Sequence, residues 1–80
     1  MRVSVKLYAT LQEYSPPETE LGKEFSVDLT GRTVIELLSK LGIKDEQAKI
    51  VMVNGIRIDT LSYELKENDL IVIFPPIGGG

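Results

Sequence analysis

The chain has 80 residues, enough for one small domain with a single hydrophobic core. With 42% apolar residues, 26% charged residues and a formal net charge of −3, its composition is that of a globular domain rather than a disordered acidic segment. The charge disfavours nucleic acid as a partner, and the first residues lack the apolar run of a signal peptide or membrane span. We therefore expect a cytoplasmic protein with no membrane partner.

Two residue types that carry much of protein chemistry are absent, namely cysteine and histidine. Without cysteine there is no disulfide, thiolate nucleophile or zinc-thiolate site, and without histidine the usual general base near neutral pH is missing. Most autonomous enzymes are thereby excluded. No metal site is predicted either, because the acidic run 18–24 does not have the spacing of a calcium loop and is more typical of a solvated loop.

The first half of the chain predicts two strands followed by a helix. Apolar residues occupy every second position in 2–8 and again in 25–30, which is the period of strands with one buried face, and we expect the two to pair antiparallel. The prolines and glycine of 14–24 predict an exposed connection between them. Residues 33–36 have the Thr-x-x-Glu form of a capping box, apolar residues follow at helical spacing, and Gly42 ends the helix.

The second half predicts three more strands separated by turns. A polar turn at 44–48 leads into the apolar runs 50–53 and 56–58, which Asn54-Gly55 joins as a hairpin. A second turn at 67–69 places Asn68 where a left-handed backbone is expected. The continuous apolar run 70–74 predicts a central strand, and Pro75-Pro76 ends it because proline has no amide proton for the ladder.

The predicted order of strand, strand, helix, strand, strand, strand is that of an α+β protein. A right-handed crossover through the helix would place the last strand beside and parallel to the first. This is the β-grasp arrangement of ubiquitin, a mixed sheet of four to five strands with one main helix. We expect a β-grasp domain over residues 1–76 and a flexible glycine tail over residues 77–80.

One face of the last strand is a candidate docking surface. If Ile71 and Ile73 face the core, alternation turns the other three apolar side chains of the strand to the opposite face, next to the tail. The alternative, a sheet covered on both faces, is improbable for a chain with one helix. The predicted partner-docking residues are Leu70, Val72, Phe74 and Tyr8, with Lys6 at the border of the same patch.

Four stretches of the sequence carry a resemblance to a known family. They are residues 7–11, 33–38, 53–55 and 65–76, and the last of them runs into the ending Phe-Pro-Pro-Ile-Gly-Gly-Gly. Together they resemble the MoaD/ThiS family of ubiquitin-like sulfur carriers, and within it most closely the small subunit of molybdopterin synthase. The spacing from Phe74 to the terminal glycine pair is the specific part, because no fold requires it.

The resemblance implies a role for the terminal glycines. In this family, an adenylating enzyme of the ubiquitin-activating type uses ATP and magnesium to activate the terminal carboxylate, which here belongs to Gly80. The adenylate then becomes a thiocarboxylate, while Gly78 and Gly79 enter the partner's narrow channel. Glycine suits this passage because it lacks Cβ and adopts any backbone conformation. The chain itself would bind no cofactor and would not be an enzyme alone, and its second partner would be the large subunit of molybdopterin synthase.

The sequence departs from the family pattern at three positions and leaves other functions open. Gln12 stands where many relatives have arginine, Asn68 where many have glycine, and Gly78 precedes the final glycine pair. The first alternative is a related carrier for thiamine or tRNA thiolation, or a modifier conjugated to lysines. The second is a non-covalent ubiquitin-fold binding module whose glycines are only a frayed end. Phe74-Pro75-Pro76 favours the molybdopterin type over the thiamine type.

Overall fold

The computed structural model describes residues 1–76, and the predicted tail 77–80 lies outside them. Two short 3-10 helices, Ala9–Tyr14 and Asp45–Gln47, accompany the main elements. The strands and the helix are β1 (Arg2–Leu7), β2 (Phe25–Asp28), α1 (Val34–Leu41), β3 (Ile50–Val53), β4 (Ile56–Arg57) and β5 (Leu70–Phe74).

The strands form one mixed sheet in the order β2-β1-β5-β3-β4. The central pair, β1 and β5, is parallel, while β1 with β2, β3 with β5 and β3 with β4 are antiparallel. The last strand therefore lies beside and parallel to the first, as the sequence predicts, and the β-grasp arrangement is confirmed. Its five strands agree with the predicted four to five.

The core lies between one face of this sheet and α1. Alternate residues of each central strand point into it, so that Ile71 and Ile73 have no exposed surface while their neighbours on β5 are partly exposed. The predicted assignment of the two faces of β5 is confirmed. The buried apolar side chains are Val3, Val5, Leu7, Leu11, Val27, Leu29, Val34, Leu37, Leu38, Ile43, Ala48, Val51, Val53, Leu65, Ile71 and Ile73.

The predicted capping box begins α1. The Thr33 hydroxyl accepts a hydrogen bond from the Glu36 amide at 3.3 Å, and the Glu36 carboxylate accepts from the amides of Thr33 and Arg32 at 3.1 and 2.9 Å. These backbone donors, first that of Arg32 and then that of Thr33, hold the pKa of Glu36 below its ordinary value. Gly42 ends the helix in the left-handed conformation, with φ of 82°.

Both predicted turns have the expected backbone. Asn54 and Gly55 have φ of 52° and 84°, as a two-residue hairpin between β3 and β4 requires, and Asn68 has φ of 70°. The Asn54 side chain also joins this hairpin to the start of β5. Its amide donates to the buried Asp69 carboxylate at 2.8 Å, and its oxygen accepts from the Leu70 amide at 2.9 Å.

The predicted exposed connection over residues 14–24 is confirmed as irregular, mostly exposed chain, but a 3-10 helix that the sequence analysis did not predict lies between it and β1. This helix spans Ala9–Tyr14, and its Leu11 is only 1% exposed. The chain enters this helix through Ala9 at φ of 53°, a left-handed conformation that is unfavourable for alanine. Burial of Leu11 in the core offsets that cost. The sequence pattern does not predict this helix, because Leu11 is the only residue of the helix that is buried.

Candidate functional site

The face of the sheet opposite α1 is open and forms the candidate docking surface. It presents alternate residues of β1, β5 and β3, all of them partly exposed. The register places Lys6 opposite Val72 on one side, and Met52 opposite Val72 on the other. Because neighbouring strands lie about 4.8 Å apart, these side chains form one continuous surface.

An aromatic pair lies at one end of this surface, where the chain leaves the sheet after β5. The rings of Tyr8 and Phe74 stack with centroids 4.7 Å apart and an angle of 10° between their planes. The Lys6 ammonium lies 5.2 Å from the Tyr8 centroid, within cation–π range. The Tyr8 amide donates to the Ile73 carbonyl at 3.2 Å, which continues the pairing of β1 with β5 and sets the two rings side by side.

All of the predicted docking residues within the described part of the chain share this face. Tyr8 and Phe74 lie at one end and Val72 in the middle of β5, whereas Leu70 lies beside Ser4, roughly 13 Å from Phe74 at ~3.3 Å per residue. The sequence analysis missed Ile50, which lies opposite Phe74, and Met52. The alternation of residues 50–53 indicates that Ile50 and Met52 share one face of their strand, but only the β3–β5 register shows that they belong to the docking surface.

The chain leaves the sheet directly beside the aromatic pair. The Lys49 amide donates to the Phe74 carbonyl at 2.9 Å, which anchors the end of β5, and Pro75 and Pro76 follow. The predicted tail residues Gly78, Gly79 and Gly80 lie outside the described residues. The Tyr8–Phe74 pair therefore lies next to the point where the chain leaves β5.

Over residues 1–76 no group of three or more acidic residues is arranged to hold a metal ion. The remaining perturbed pair, Arg2 and Asp28, lies at the far end of β1, where a hydrogen bond of 3.1 Å lowers the pKa of the Asp28 carboxyl and raises that of the guanidinium. No helix in the described range is long and apolar enough to cross a membrane.

Gln12, the departure from the family pattern, is used within the chain. Its side-chain oxygen accepts a hydrogen bond from the Gly22 amide at 3.3 Å. This contact ties the 3-10 helix after β1 to the loop that leads into β2. The structure thus assigns Gln12 a contact with the loop that leads into β2.

The sheet order and the one main helix of the described residues define a ubiquitin-like protein of β-grasp fold, here with an open face beside the exit of its last strand. The model of the ThiS family matches residues 5–80. The chain belongs to this family of ubiquitin-like sulfur carriers. No curated protein matches the chain at a significant level.

Several solved structures are similar over nearly the whole chain. A complex of subunits 1 and 2 of molybdopterin-converting factor from Helicobacter pylori contains a chain with 25% identity and a TM-score of 0.62, covering 100% of both chains. Small archaeal modifier protein 1 from Methanosarcina acetivorans has 28% identity and a TM-score of 0.66, covering 99% of this chain and 96% of that one. The Haloferax volcanii modifier of the same name, at 23% identity, 95% and 98% coverage and a TM-score of 0.67, supports the fold alone.

Proposed function

We propose that this protein is the small, sulfur-carrying subunit of a molybdopterin synthase, and that its Gly80 carboxylate is the group that becomes a thiocarboxylate. The observation that carries the proposal is the exit of the chain from β5 beside the stacked Tyr8–Phe74 pair on an open sheet face. Two comparisons support it. The ThiS family match extends through the terminal glycines, and the similar Helicobacter pylori chain comes from a complex of two converting-factor subunits.

The open face and the tail act together in this proposal. The patch of Tyr8, Val72 and Phe74 docks on the partner, while residues 75–80, if extended, reach roughly 20 Å at ~3.3–3.6 Å per residue. That reach carries Gly80 into the partner's site while the globular body stays outside. Gly78 and Gly79 pass through the narrow part of the channel because a residue without Cβ needs little width.

Two partners use the same tail in succession. An adenylating enzyme of the ubiquitin-activating type joins the Gly80 carboxylate to the α-phosphate of ATP, with magnesium, and pyrophosphate leaves. Hydrosulfide then attacks the acyl carbon and displaces AMP, which yields the thiocarboxylate without a change of oxidation state. Finally, the sulfur passes from the thiocarboxylate to the molybdopterin precursor in the active site of the synthase large subunit. The chain itself binds neither the nucleotide nor the metal.

The large subunit must supply the residues that act on the precursor. An acyl donor on an extended tail has no pocket of its own, and correct positioning contributes about 7–11 kcal/mol of barrier lowering in well-oriented reactions. Within residues 1–76 no group of three or more acidic side chains is arranged to hold a metal ion for such a reaction. We therefore expect no turnover by this chain alone.

A protein modifier is the second candidate, favoured by the similarity to the Methanosarcina acetivorans modifier protein at 28% identity. In that function the Gly80 carbonyl would form an isopeptide bond with a lysine of a target protein instead of delivering sulfur. Both candidates need the same activated terminus and the same docking face. They differ in the nucleophile that reaches the acyl group.

Mass spectrometry of the protein from its own cells tests the carrier proposal directly. We expect a species heavier than the unmodified chain by the mass difference between sulfur and oxygen, located on the C-terminal peptide. The thiocarboxylated protein should convert the molybdopterin precursor only when the large subunit is added. Product formed by the chain alone would overturn the proposed division of labour.

Removal of Gly80 is the matched control. The truncated protein should fold as the full chain does, because the core of the described residues is already complete at Ile73, within β5. It should nevertheless fail to form the adenylate. Sulfur transfer by the truncated protein would refute the carrier proposal, and glycine–lysine isopeptides on cellular proteins without dithiolene product would favour the modifier.

A further inference from the structure

A groove of ≈ 390 Å³ lies at the β2 edge of the sheet, between β2 and the end of α1. Its apolar wall consists of Tyr14, Phe25 and Leu41, three side chains that pack against the core but remain partly exposed. Lys40 and Asp28 lie at its rim. The docking face of Tyr8 and Phe74 does not contribute to this groove, so the two surfaces are separate.

The edge of β2 offers backbone hydrogen-bonding groups to this groove. Met1 and Leu29 exchange hydrogen bonds of 2.7 and 2.8 Å, so they form a hydrogen-bonded pair of the antiparallel ladder. Since such pairs alternate with non-bonded ones, the Ser26 and Asp28 backbone groups point away from β1. In the described part of the chain no other element pairs with this edge.

The charge at the groove is positive although the chain as a whole is acidic. Asp28, its one lining carboxylate, is already paired with Arg2 at 3.1 Å. Lys40 forms no ion pair within residues 1–76. An occupant that places a carboxylate beside Lys40 would complement the groove, whereas the net charge of −3 disfavours the association of two copies.

We propose that this groove binds an extended acidic segment of a partner protein as a sixth strand beside β2. The outward backbone groups of Ser26 and Asp28 pair with the segment, and its alternate apolar side chains contact Tyr14, Phe25 and Leu41. A carboxylate of the segment lies beside Lys40. Strand addition at an exposed sheet edge combines main-chain hydrogen bonds with pockets for alternate side chains, and this groove has both.

Two synthetic peptides of opposite polarity serve as probes. Each has three valines alternating with threonines, blocked ends, and two glutamates placed either at the amino or at the carboxyl end. In an NMR titration of the full chain, one of them should bind with a Kd below about 1 mM and shift the amide signals of residues 25–28 and 40–41. The polarity that binds reveals whether the added strand runs parallel or antiparallel to β2.

Variants of the chain and of the peptide separate the contribution of the Lys40 charge from that of the main-chain hydrogen bonds. Lys40→Glu should weaken binding about tenfold, because reversing an exposed charge changes its interaction with the glutamates by roughly twice the value of an exposed ion pair. The matched control Lys49→Glu changes a lysine just before β3, far from the groove in the sheet order, and should leave the affinity for the peptide unchanged. N-methylation of two consecutive central peptide residues should abolish binding, because one of the two amides must face β2.

Several results would overturn the inference. They are the absence of binding by either peptide at 1 mM, equal binding by the N-methylated peptide, and shifts centred on residues 70–74 instead of β2. Concentration-dependent dimerisation through residues 25–28 would make a second copy the occupant and would also refute it. The inference does not depend on the sulfur-carrier proposal, since Lys40→Glu should still permit adenylation of Gly80.

Discussion

Replacing Phe74 with aspartate should weaken docking more than it weakens the fold. Phe74 is partly exposed and stacks on Tyr8 at 4.7 Å. Loss of this aromatic pair costs about 0.5–1.5 kcal/mol, and loss of its partial burial adds a similar amount, so we expect a decrease of about 1–3 kcal/mol in the free energy of unfolding. The neighbouring Ile73 is fully buried, and Ile73→Ala should cost about 2–5 kcal/mol.

The effect of Phe74→Asp on binding should be larger because the side chain is central to the predicted interface. Truncation of an aromatic hot spot typically costs about 2–4 kcal/mol, which corresponds to a roughly 30- to 700-fold increase in Kd. The introduced carboxylate would in addition be desolvated on docking without a partner for its charge.

Calorimetric titration against the two proposed partners, the adenylating enzyme and the synthase large subunit, measures the change in binding free energy, and urea denaturation measures the change in stability. Ile56→Asp is the matched control. It makes the same apolar-to-acidic change at a side chain that is 71% exposed on β4, so neither measurement should change appreciably.

The reasoning would be refuted if Phe74→Asp unfolded the protein as severely as Ile73→Ala, with binding lost only in proportion to the unfolded fraction. The two faces of β5 would then contribute to stability alike. Unchanged affinity of a well-folded Phe74→Asp variant for both partners would instead remove the open face from the docking surface.

Three further predictions concern local features of the fold. Thr33→Ala should lower the free energy of unfolding by about 0.5–2 kcal/mol in urea denaturation, because the helix loses its N-cap. Glu36 should stabilise the protein fully above its ordinary pKa and lose this contribution as pH falls through its lowered folded-state pKa, so Glu36→Gln should flatten the dependence of Tm on acidic pH. Asn54→Gly, which keeps the left-handed turn accessible, should cost about 1–3 kcal/mol in thermal or urea unfolding because the buried Asp69 carboxylate loses a donor.

Local features of the protein follow from the sequence because short-range physics determines them. The capping box at Thr33, the left-handed Asn54 and Asn68, and the period-two alternation of β5 depend on neighbouring residues only. For the same reason the two faces of β5 were predicted correctly. The glycines at 78–80 are a compositional signal whose chemistry stays a prediction.

Which residues make up the docking face and the groove beside β2 depends on the tertiary structure, because pairing between strands distant in sequence brings those residues together. The parallel register of β1 with β5 sets Tyr8 against Phe74, and the antiparallel register of β3 adds Ile50 and Met52 to the same surface. The groove beside β2 exists only because that strand is at the edge of the sheet. Strand alternation specifies which side chains share a face, but the order and register of the strands specify which of them meet.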